Sequence, residues 1–298
     1  MTIGIIGLGR MGFYMAERLL KNKHEVIAYN RSPEKTRALK RKYKNVIAAY
    51  SLAETVSAFG GQKRIVWLML PAGKATDDMI DALLPLLQKG DIIVNGANAF
   101  YRQAQTQAKR CQKYGVHFFD AGVSGGIWGL TRGYALMIGG PQNQFKFIEP
   151  FCKTLAPKNG YGYFGASGAG HFVKSVHNII EYVYLQGLAE GMELLAGFEQ
   201  RIDLVKAAKT WQPASIVSSA LLDWMVMGLA RKDFKTISTE IGSVTMEELQ
   251  ETVQAVQGFA PAFETAVATR RDTSKKFALG KRVIAATRRE FGGHAVSS

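Results

Sequence analysis

The chain opens Thr2-Ile3-Gly4-Ile5-Ile6-Gly7-Leu8-Gly9-Arg10-Met11-Gly12, and these residues decide the fold. Thr2 to Ile6 is a short apolar run rich in β-branched residues, which reads as a buried strand. Glycines 7, 9 and 12 follow, then a helical pattern over 11–21 and a second strand over 25–29. Strand, glycine-rich turn, helix, strand is the context in which a G-x-G-x-x-G turn binds a dinucleotide. Gly7 permits the tight turn. Gly9 lets a pyrophosphate approach the backbone, and Gly12 lets the helix pack on the strand. The amides at the helix start, those of Arg10 and Met11 among them, then face the phosphates.

The second strand ends at Asn30-Arg31-Ser32-Pro33. An acid at such a strand end would take the ribose 2′-hydroxyl of NAD. Asn30 is not an acid. Arg31 and Ser32 offer a guanidinium and a hydroxyl, with Lys35 one turn on, and a 2′-phosphate wants such groups. NADP is expected over NAD, with NAD still possible.

Strand and helix continue to alternate. Strands are expected over 45–49, 64–70, 91–95 and 116–120, with helices over 51–59, 76–87 and 101–114 between them. That alternation means a parallel sheet covered on both faces. Ligands gather at the carboxyl ends of such strands. Those ends are Gly7, Asn30, Leu70-Pro71-Ala72, Asn95 to Asn98, and Asp120 to Gly126. In the last, Gly122 to Gly126, the residues Ser124, Gly125 and Gly126 would present a hydroxyl and backbone amides to an oxyanion, a flexible loop being the alternative. Further strands are expected over 134–140 and 161–165. Beyond Gly168 only helical patterns remain, over 171–200, 204–211, 215–230, 246–257, 261–271 and 277–289. The fold class is therefore α/β followed by all-α: a Rossmann-like doubly wound parallel sheet over 1–166, then a helical domain over 167–298.

Composition narrows the partners. Of 298 residues, 47% are hydrophobic and 21% charged, as in a soluble globular protein. The net charge of +14 suits anionic ligands. Seven basic residues against one acid lie over 31–44, and eight against three over 264–298. Neither run interleaves aromatics, and there is no zinc-finger or RNA-binding signature, so small phosphorylated ligands are expected rather than nucleic acid. Cys111 and Cys152 stand in no motif, which fits a reducing cytoplasm. The start of the chain lacks the pattern of a signal peptide, and the apolar stretch over 214–230 is too short and polar to span a membrane.

The chemistry is expected on the helix that begins near Gly168. Lys174, His177, Asn178 and Glu181 recur at i, i+3, i+4 and i+7, so an amine, an imidazole, an amide and a carboxylate share one stripe. Phe172, Val173, Val176, Ile179, Ile180 and Val183 are expected to bury a broad face, with Tyr184, Leu185, Leu188, Met192, Leu194 and Leu195 extending it. A solvated polar face is one reading of the stripe. A polar stripe on a largely buried helix needs partners, however, and a ligand pocket at the junction of the two domains would supply them.

Taken together, Gly7-Leu-Gly-Arg-Met-Gly12, Asn30-Arg-Ser32, Leu70-Pro-Ala-Gly73, Gly122-Val-Ser-Gly-Gly126, Gly168-Ala-Gly-His-Phe-Val-Lys-Ser-Val-His-Asn178 and Ile180-Glu-Tyr182 resemble the decarboxylating 6-phosphogluconate dehydrogenases. These belong to the wider β-hydroxyacid dehydrogenase group. The match runs through nearly the whole chain, and its size resembles the short bacterial branch. The resemblance implies that a neutral Lys174 takes the C3 hydroxyl proton as hydride leaves, and that Glu181 protonates C1 of the enediol after CO2 is lost. It implies that His177, Asn178 and Asn98 hold substrate hydroxyls, and that Ser124, Gly125 and Gly126 hold the carboxylate region. Asn98 also borders the cofactor. It further implies a phosphate site from Tyr182, Arg270, Arg288 and His294, the tail coming from a partner in a homodimer or homotetramer. No metal is implied.

Two positions depart from the family pattern. Glu248-Leu249-Gln250 stands where a Lys/Arg-Trp-Thr element is usual, and Asn95-Gly-Ala97-Asn98 replaces Asp-Gly-Gly-Asn. Oxidation of another β-hydroxy acid, or cofactor binding with little turnover, are the alternatives these departures leave open.

Overall fold

The computed structural model describes residues 1–241 and 246–293. Contacts divide the chain into two compact units, Met1–Ser175 and Val176–Ser298.

The first unit is built on eight strands: β1 (Thr2–Ile6), β2 (Glu25–Tyr29), β3 (Val46–Ala48), β4 (Ile65–Leu68), β5 (Ile92–Asn95), β6 (His117–Ser124), β7 (Ala135–Gly139) and β8 (Tyr161–Gly165). They form one sheet in the order β3-β2-β1-β4-β5-β6-β7-β8. The first six are parallel, paired for example Ile5 to Ala28 and Ile93 to Phe118. β7 runs antiparallel to β6, and β8 parallel to β7. Between the strands lie α1 (Arg10–Lys21), α2 (Pro33–Lys42), α3 (Leu52–Ser57), α4 (Lys74–Leu83), α5 (Tyr101–Lys113), α6 (Gly129–Arg132) and α7 (Phe145–Leu155).

Strand periodicity explains why both faces are covered. Successive residues of a strand point to opposite faces. Ile3, Ile5, Val26, Ala28, Trp67, Val94 and Phe119 send their side chains into one core, with Met15 and Leu19 of α1 and Phe151 and Leu155 of α7. Ile6, Ile27, Val66, Leu68, Ile93 and Phe118 enter the other, with Ile80 and Leu83 of α4 and Ala104 and Cys111 of α5. Such sheets place ligand-binding loops at the carboxyl ends of their parallel strands.

The first six strands form the parallel sheet expected of them, and β6 then turns back through the short α6 into an antiparallel β7. The segment expected to offer amides and a hydroxyl to an oxyanion continues as strand as far as Ser124, with Gly122 opposite Met137 and Ser124 opposite Ala135. β6 pairs with β5 only as far as Asp120, so beyond it the β7 ladder occupies one edge, and loop geometry begins at Gly125 and Gly126, whose φ values are +133° and +55°.

The division between the units falls within α8 (Ala169–Ala196). The second unit continues with α9 (Leu204–Trp211), α10 (Ala220–Leu229), α11 (Met246–Ala255), α12 (Pro261–Arg271) and α13 (Ala278–Gly292). Leu185, Leu188 and Met192 of α8 pack with Leu222, Met225 and Val226 of α10 and with Val283 and Ile284 of α13. A smaller core gathers Tyr182, Leu249 of α11, and Phe263, Ala266 and Val267 of α12. The expected apolar coat of α8 is incomplete. Val176, Ile180 and Leu194 are exposed, Ile180 to 62%. Ile179, Ile180, Val183, Tyr184, Trp211 and Val217 instead line an open apolar groove of about 720 Å³. The periodicity of α8 supplies more apolar surface than the described residues cover. Among the described residues no helix is long and apolar enough to cross a membrane.

Candidate functional site

The glycine turn is built as its spacing requires. Gly7 has φ +93°, and a side chain there would run into the Met69 carbonyl. A methyl at Gly12 would collide with the Gly7 carbonyl, so the start of α1 closes directly onto the turn. Gly9 is different: it is exposed, and nothing lies within 4 Å of where its Cβ would be. That leaves open space beside the helix start. No side chain caps α1, and its first turn holds no acid, so its free amides suit an anion.

Asn30 does more than lack a charge. Its Oδ1 accepts from the Leu8 amide at 2.8 Å and its Nδ2 donates to the Ser32 carbonyl at 2.9 Å. It thus ties the glycine turn to the end of β2. Arg31, Ser32 and Lys35 are all exposed. Leu70 lies against Gly7, and the Pro71 carbonyl accepts from Thr76 Oγ1 at 2.7 Å, which fixes the loop after β4. These groups fit a phosphorylated dinucleotide: an open glycine, an uncapped helix start, and basic residues without an acid at the end of β2.

At the end of β5, Asn95 is fully buried. Its Oδ1 accepts from the Ala97 amide and its Nδ2 donates to Gln107 Oε1, both at 2.9 Å. The Asn95 side chain therefore shapes the turn that leads to exposed Asn98. Gln107 Nε2 in turn donates to Asp77 in the first turn of α4, at 3.0 Å.

β6 and the start of α8 meet through groups that periodicity does not single out. Asp120 is fully buried, and its two carboxylate oxygens accept from the Gly168 and His171 amides at 2.7 and 2.8 Å. His171 is also buried, with Nε2 3.2 Å from the Asn95 carbonyl. A carbonyl only accepts, so Nε2 carries the proton in this contact. Burial pushes the His171 imidazole below its usual range, which favours the neutral ring. The signal in the sequence was an aspartate within the apolar run Phe118-Phe119-Asp120-Ala121. A buried carboxylate must be hydrogen-bonded, and the amides at a helix start are among the few groups able to do that. Lys174 follows one turn after His171 and is 8% exposed.

The remaining candidates lie in the second unit. His177 and Asn178 are neighbours on α8, with Nδ1 3.1 Å from Oδ1. Glu181 is half-buried. Tyr182 is buried, and the Arg270 guanidinium stacks over its ring, 3.9 Å from the centroid. Arg270 is only 7% exposed. One of its nitrogens donates to the Ala266 carbonyl at 2.9 Å, while Nε and the other terminal nitrogen find no partner among the described residues. Burial lowers its pKa to about 10, and the nearby Arg288 cation adds to that, against the raising effect of Tyr182 and Glu181. Burial lowers Arg288 as well. The structure thus brings Tyr182, Arg270, Arg288 and Glu181 into one electrostatic neighbourhood. His294 lies outside the described residues.

Glu248 is half-buried on α11, and its carboxyl is pushed up to about 7 by burial first, then by Glu251 and Glu247. A carboxyl raised in the folded state costs no stability below its unfolded pKa. The cost grows as pH rises through that value and is complete above about 7. Solvent screening of a half-exposed group reduces it to about 1 kcal/mol. Glu248→Gln should therefore raise the melting temperature at pH 8 and leave it unchanged at pH 4. Equal shifts at both pH values would contradict the assignment. Among the described residues, no group of three or more His, Cys, Asp or Glu side chains is placed to hold a metal ion.

Comparison with known proteins agrees with this geometry. Residues 2–165 match the NAD binding domain of 6-phosphogluconate dehydrogenase. The NAD(+)-dependent, decarboxylating 6-phosphogluconate dehydrogenase of Haloferax volcanii is 38% identical over 245 residues, covering 82% of this chain and 78% of that protein. The Bacillus subtilis protein YqeC is 32% identical over 306 residues, covering 99% of each. Among solved structures, the Plasmodium falciparum 6-phosphogluconate dehydrogenase superposes with a TM-score of 0.79 at 26% identity. That match takes in 91% of this chain and 61% of the longer one. With the glycine turn, the sheet order and the identity over most of its length in agreement, this chain belongs to the 6-phosphogluconate dehydrogenase family.

Proposed function

We propose that this chain oxidises and decarboxylates 6-phosphogluconate to ribulose 5-phosphate and CO2, with reduction of NADP. The observation that carries the reading is Arg270: a nine-tenths buried guanidinium stacked on Tyr182, near Arg288, with two nitrogens unsatisfied among the described residues. A buried guanidinium with two nitrogens open in this way suits a further anion, and a phosphate dianion meets a guanidinium with paired hydrogen bonds.

The proposed roles follow the chemistry of each side chain. The start of α1 and the open backbone at Gly9 receive the pyrophosphate, and Arg31 and Ser32 receive the 2′-phosphate. A nicotinamide held there would supply the hydride acceptor for C3 of the substrate. Lys174 takes the proton of the C3 hydroxyl. In its protonated form it then polarises the new carbonyl, which accepts the electron pair released as CO2 departs. Glu181 delivers a proton to C1. His177, Asn178 and Asn98 hold hydroxyls, while Ser124, Gly125 and Gly126 hold the carboxylate region until it leaves. Lys174 and Glu181 sit seven residues apart on one helix, close to two full turns, so base and acid fall on the same side of it.

The test is reduction of NADP by purified protein with 6-phosphogluconate, run beside NAD, gluconate and 3-hydroxyisobutyrate. Turnover with 6-phosphogluconate at least tenfold above the unphosphorylated acids is expected. A second reading, oxidation of an unphosphorylated β-hydroxy acid, is favoured by Glu248: a carboxyl on the helix whose Leu249 packs with Tyr182 is poor company for a phosphate. The same panel decides between them. Cofactor choice has its own test. Arg31→Ala should raise KM for NADP by about 30-fold, the worth of one charge-assisted contact, and leave KM for NAD within twofold. A parallel loss with both cofactors would show that Arg31 does not read the 2′-phosphate.

A further inference from the structure

We propose that Asp120 and Gly122 of β6 are positioning residues for Lys174, fixing where the proton-accepting amine sits by holding the first turns of α8 against the strand. The inference rests on the reading of Lys174 as the base.

Asp120, Gly122 and Ser124 are alternate residues of one strand and therefore face the same way. α8 lies on that face. Asp120 grips it by two adjacent points, the amides of Gly168 and His171, at 2.7 and 2.8 Å. Both oxygens of one rigid carboxylate are used, so the helix start can neither slide nor rotate without breaking one of the bonds. Three residues beyond His171, the stem of Lys174 passes Gly122. A methyl built on Gly122 would lie closer to Lys174 Cβ than real carbon atoms approach, and 3.1 Å from its Cγ. The Gly170 carbonyl is 3.0 Å from the same point. Gly170 itself is equally confined: a side chain there would meet the Asp120 carbonyl at 2.6 Å and the Gly139 amide at 2.8 Å.

Each contact constrains a different freedom. The carboxylate fixes the height and rotation of α8 on the strand. The absent side chain at Gly122 sets how closely the Lys174 stem approaches the backbone of β6. His171 adds a third hold, to the Asn95 carbonyl at the end of the neighbouring β5. Gly122 is a glycine with no need of unusual backbone angles: it lies in a regular antiparallel pairing with Met137 and is absent from the positive-φ positions. Its small size therefore serves proximity to Lys174.

The test compares Gly122→Ala and Asp120→Asn with the wild type. Relieving the overlap at Gly122 requires a shift of about 1 Å in the lysine stem, and a displacement of that size at a reacting group costs about 100-fold. Gly122→Ala should thus lower kcat with 6-phosphogluconate about 100-fold while the NADPH dissociation constant, read by fluorescence, stays within twofold. Asp120→Asn adds no volume, but turns an amide donor toward one of the two backbone donors. It should lower kcat at least tenfold with the same unchanged NADPH binding. A kcat within threefold of wild type in either folded variant overturns the proposal, as does a loss of kcat matched by a loss of NADPH affinity.

The contact itself is read from stability, which needs no turnover. The fall in melting temperature caused by Gly122→Ala should shrink by at least half in a Lys174→Gly background, where the stem is gone. An equal fall in both backgrounds overturns the proposal. Lys174→Met separates the base from its positioning. If that variant turns over normally, the base assignment fails and takes the inference with it. If it is inactive while Gly122→Ala is near wild type, only the positioning role fails.

Discussion

Lys174→Met is expected to lower kcat for NADP reduction with 6-phosphogluconate by roughly 10³-fold or more, with NADPH binding unchanged. Methionine matches the lysine stem in length and apolar character, so the packing of that stem beside Gly122 is retained. What is lost is an amine able to take a proton and then return its charge to a carbonyl. General base catalysis contributes about 10²–10⁴-fold, and in the proposed reaction one group would serve two successive steps, so the upper half of that range is expected. Lys174 is nearly buried, and bulk solvent is a poor substitute at such a position. Stopped-flow measurement of a single turnover distinguishes a chemical defect from slow product release. A variant within tenfold of wild type would mean that another residue takes the hydroxyl proton.

Arg270→Met should raise KM for 6-phosphogluconate about 100-fold, the equivalent of one desolvated charge-assisted pair of bonds. Turnover of gluconate, which has no phosphate, should be unaffected. This contrast is the informative part, because a general disturbance of the helical unit would lower both. Stability should move the other way. Arg270 is buried with only part of its hydrogen-bonding capacity met among the described residues, and replacing such a cation by an apolar side chain of similar length is often neutral or stabilising. The cation–π contact with Tyr182 is lost, but methionine also packs well against an aromatic ring. A melting temperature equal to or above wild type, together with the raised KM, is the expected pair of results. A fall in both affinity and melting temperature would make Arg270 a structural group.

Local signals explain which elements were legible in the chain. β2, β8, α9 and α12 lie over the expected residues because their ends are marked: Asp203 caps α9 by accepting from the Lys206 amide, and Pro261 begins α12. α7 has no counterpart among the expected elements, and Pro150 within it removes one backbone bond. It forms because Ile148, Phe151, Cys152 and Leu155 all reach the sheet core, which outweighs one missing backbone bond. α10 starts five residues later than its apolar pattern suggests. Ser215 and Ser218 bond back to the Trp211 and Gln212 carbonyls, and Ser219 then caps the helix.

The reversal at β7 had no local signature, because strand direction depends on the connection and on pairing partners rather than on periodicity. The spacing of Lys174, His177, Asn178 and Glu181 was readable because all lie on one helix. Asp120 carries no periodic signal, because what it binds lies 51 residues further along, and only the rule that buried carboxylates need donors singles it out.

That single helix has a consequence for how this protein can vary. Every residue inserted into α8 rotates the remainder of the helix by about 100° around its axis. A substitution between Lys174 and Glu181 alters one side chain and leaves the others where they were. Insertion or deletion of one residue before His177 swings His177, Asn178 and Glu181 away from the side of the helix that Lys174 occupies, and one after Asn178 swings Glu181 alone. In-frame length changes in this interval should therefore abolish function outright, while point changes produce graded losses. The irregular stretch over 197–203, beyond the end of the helix, has no such phase to keep, and a one-residue insertion there should leave turnover within a fewfold of wild type.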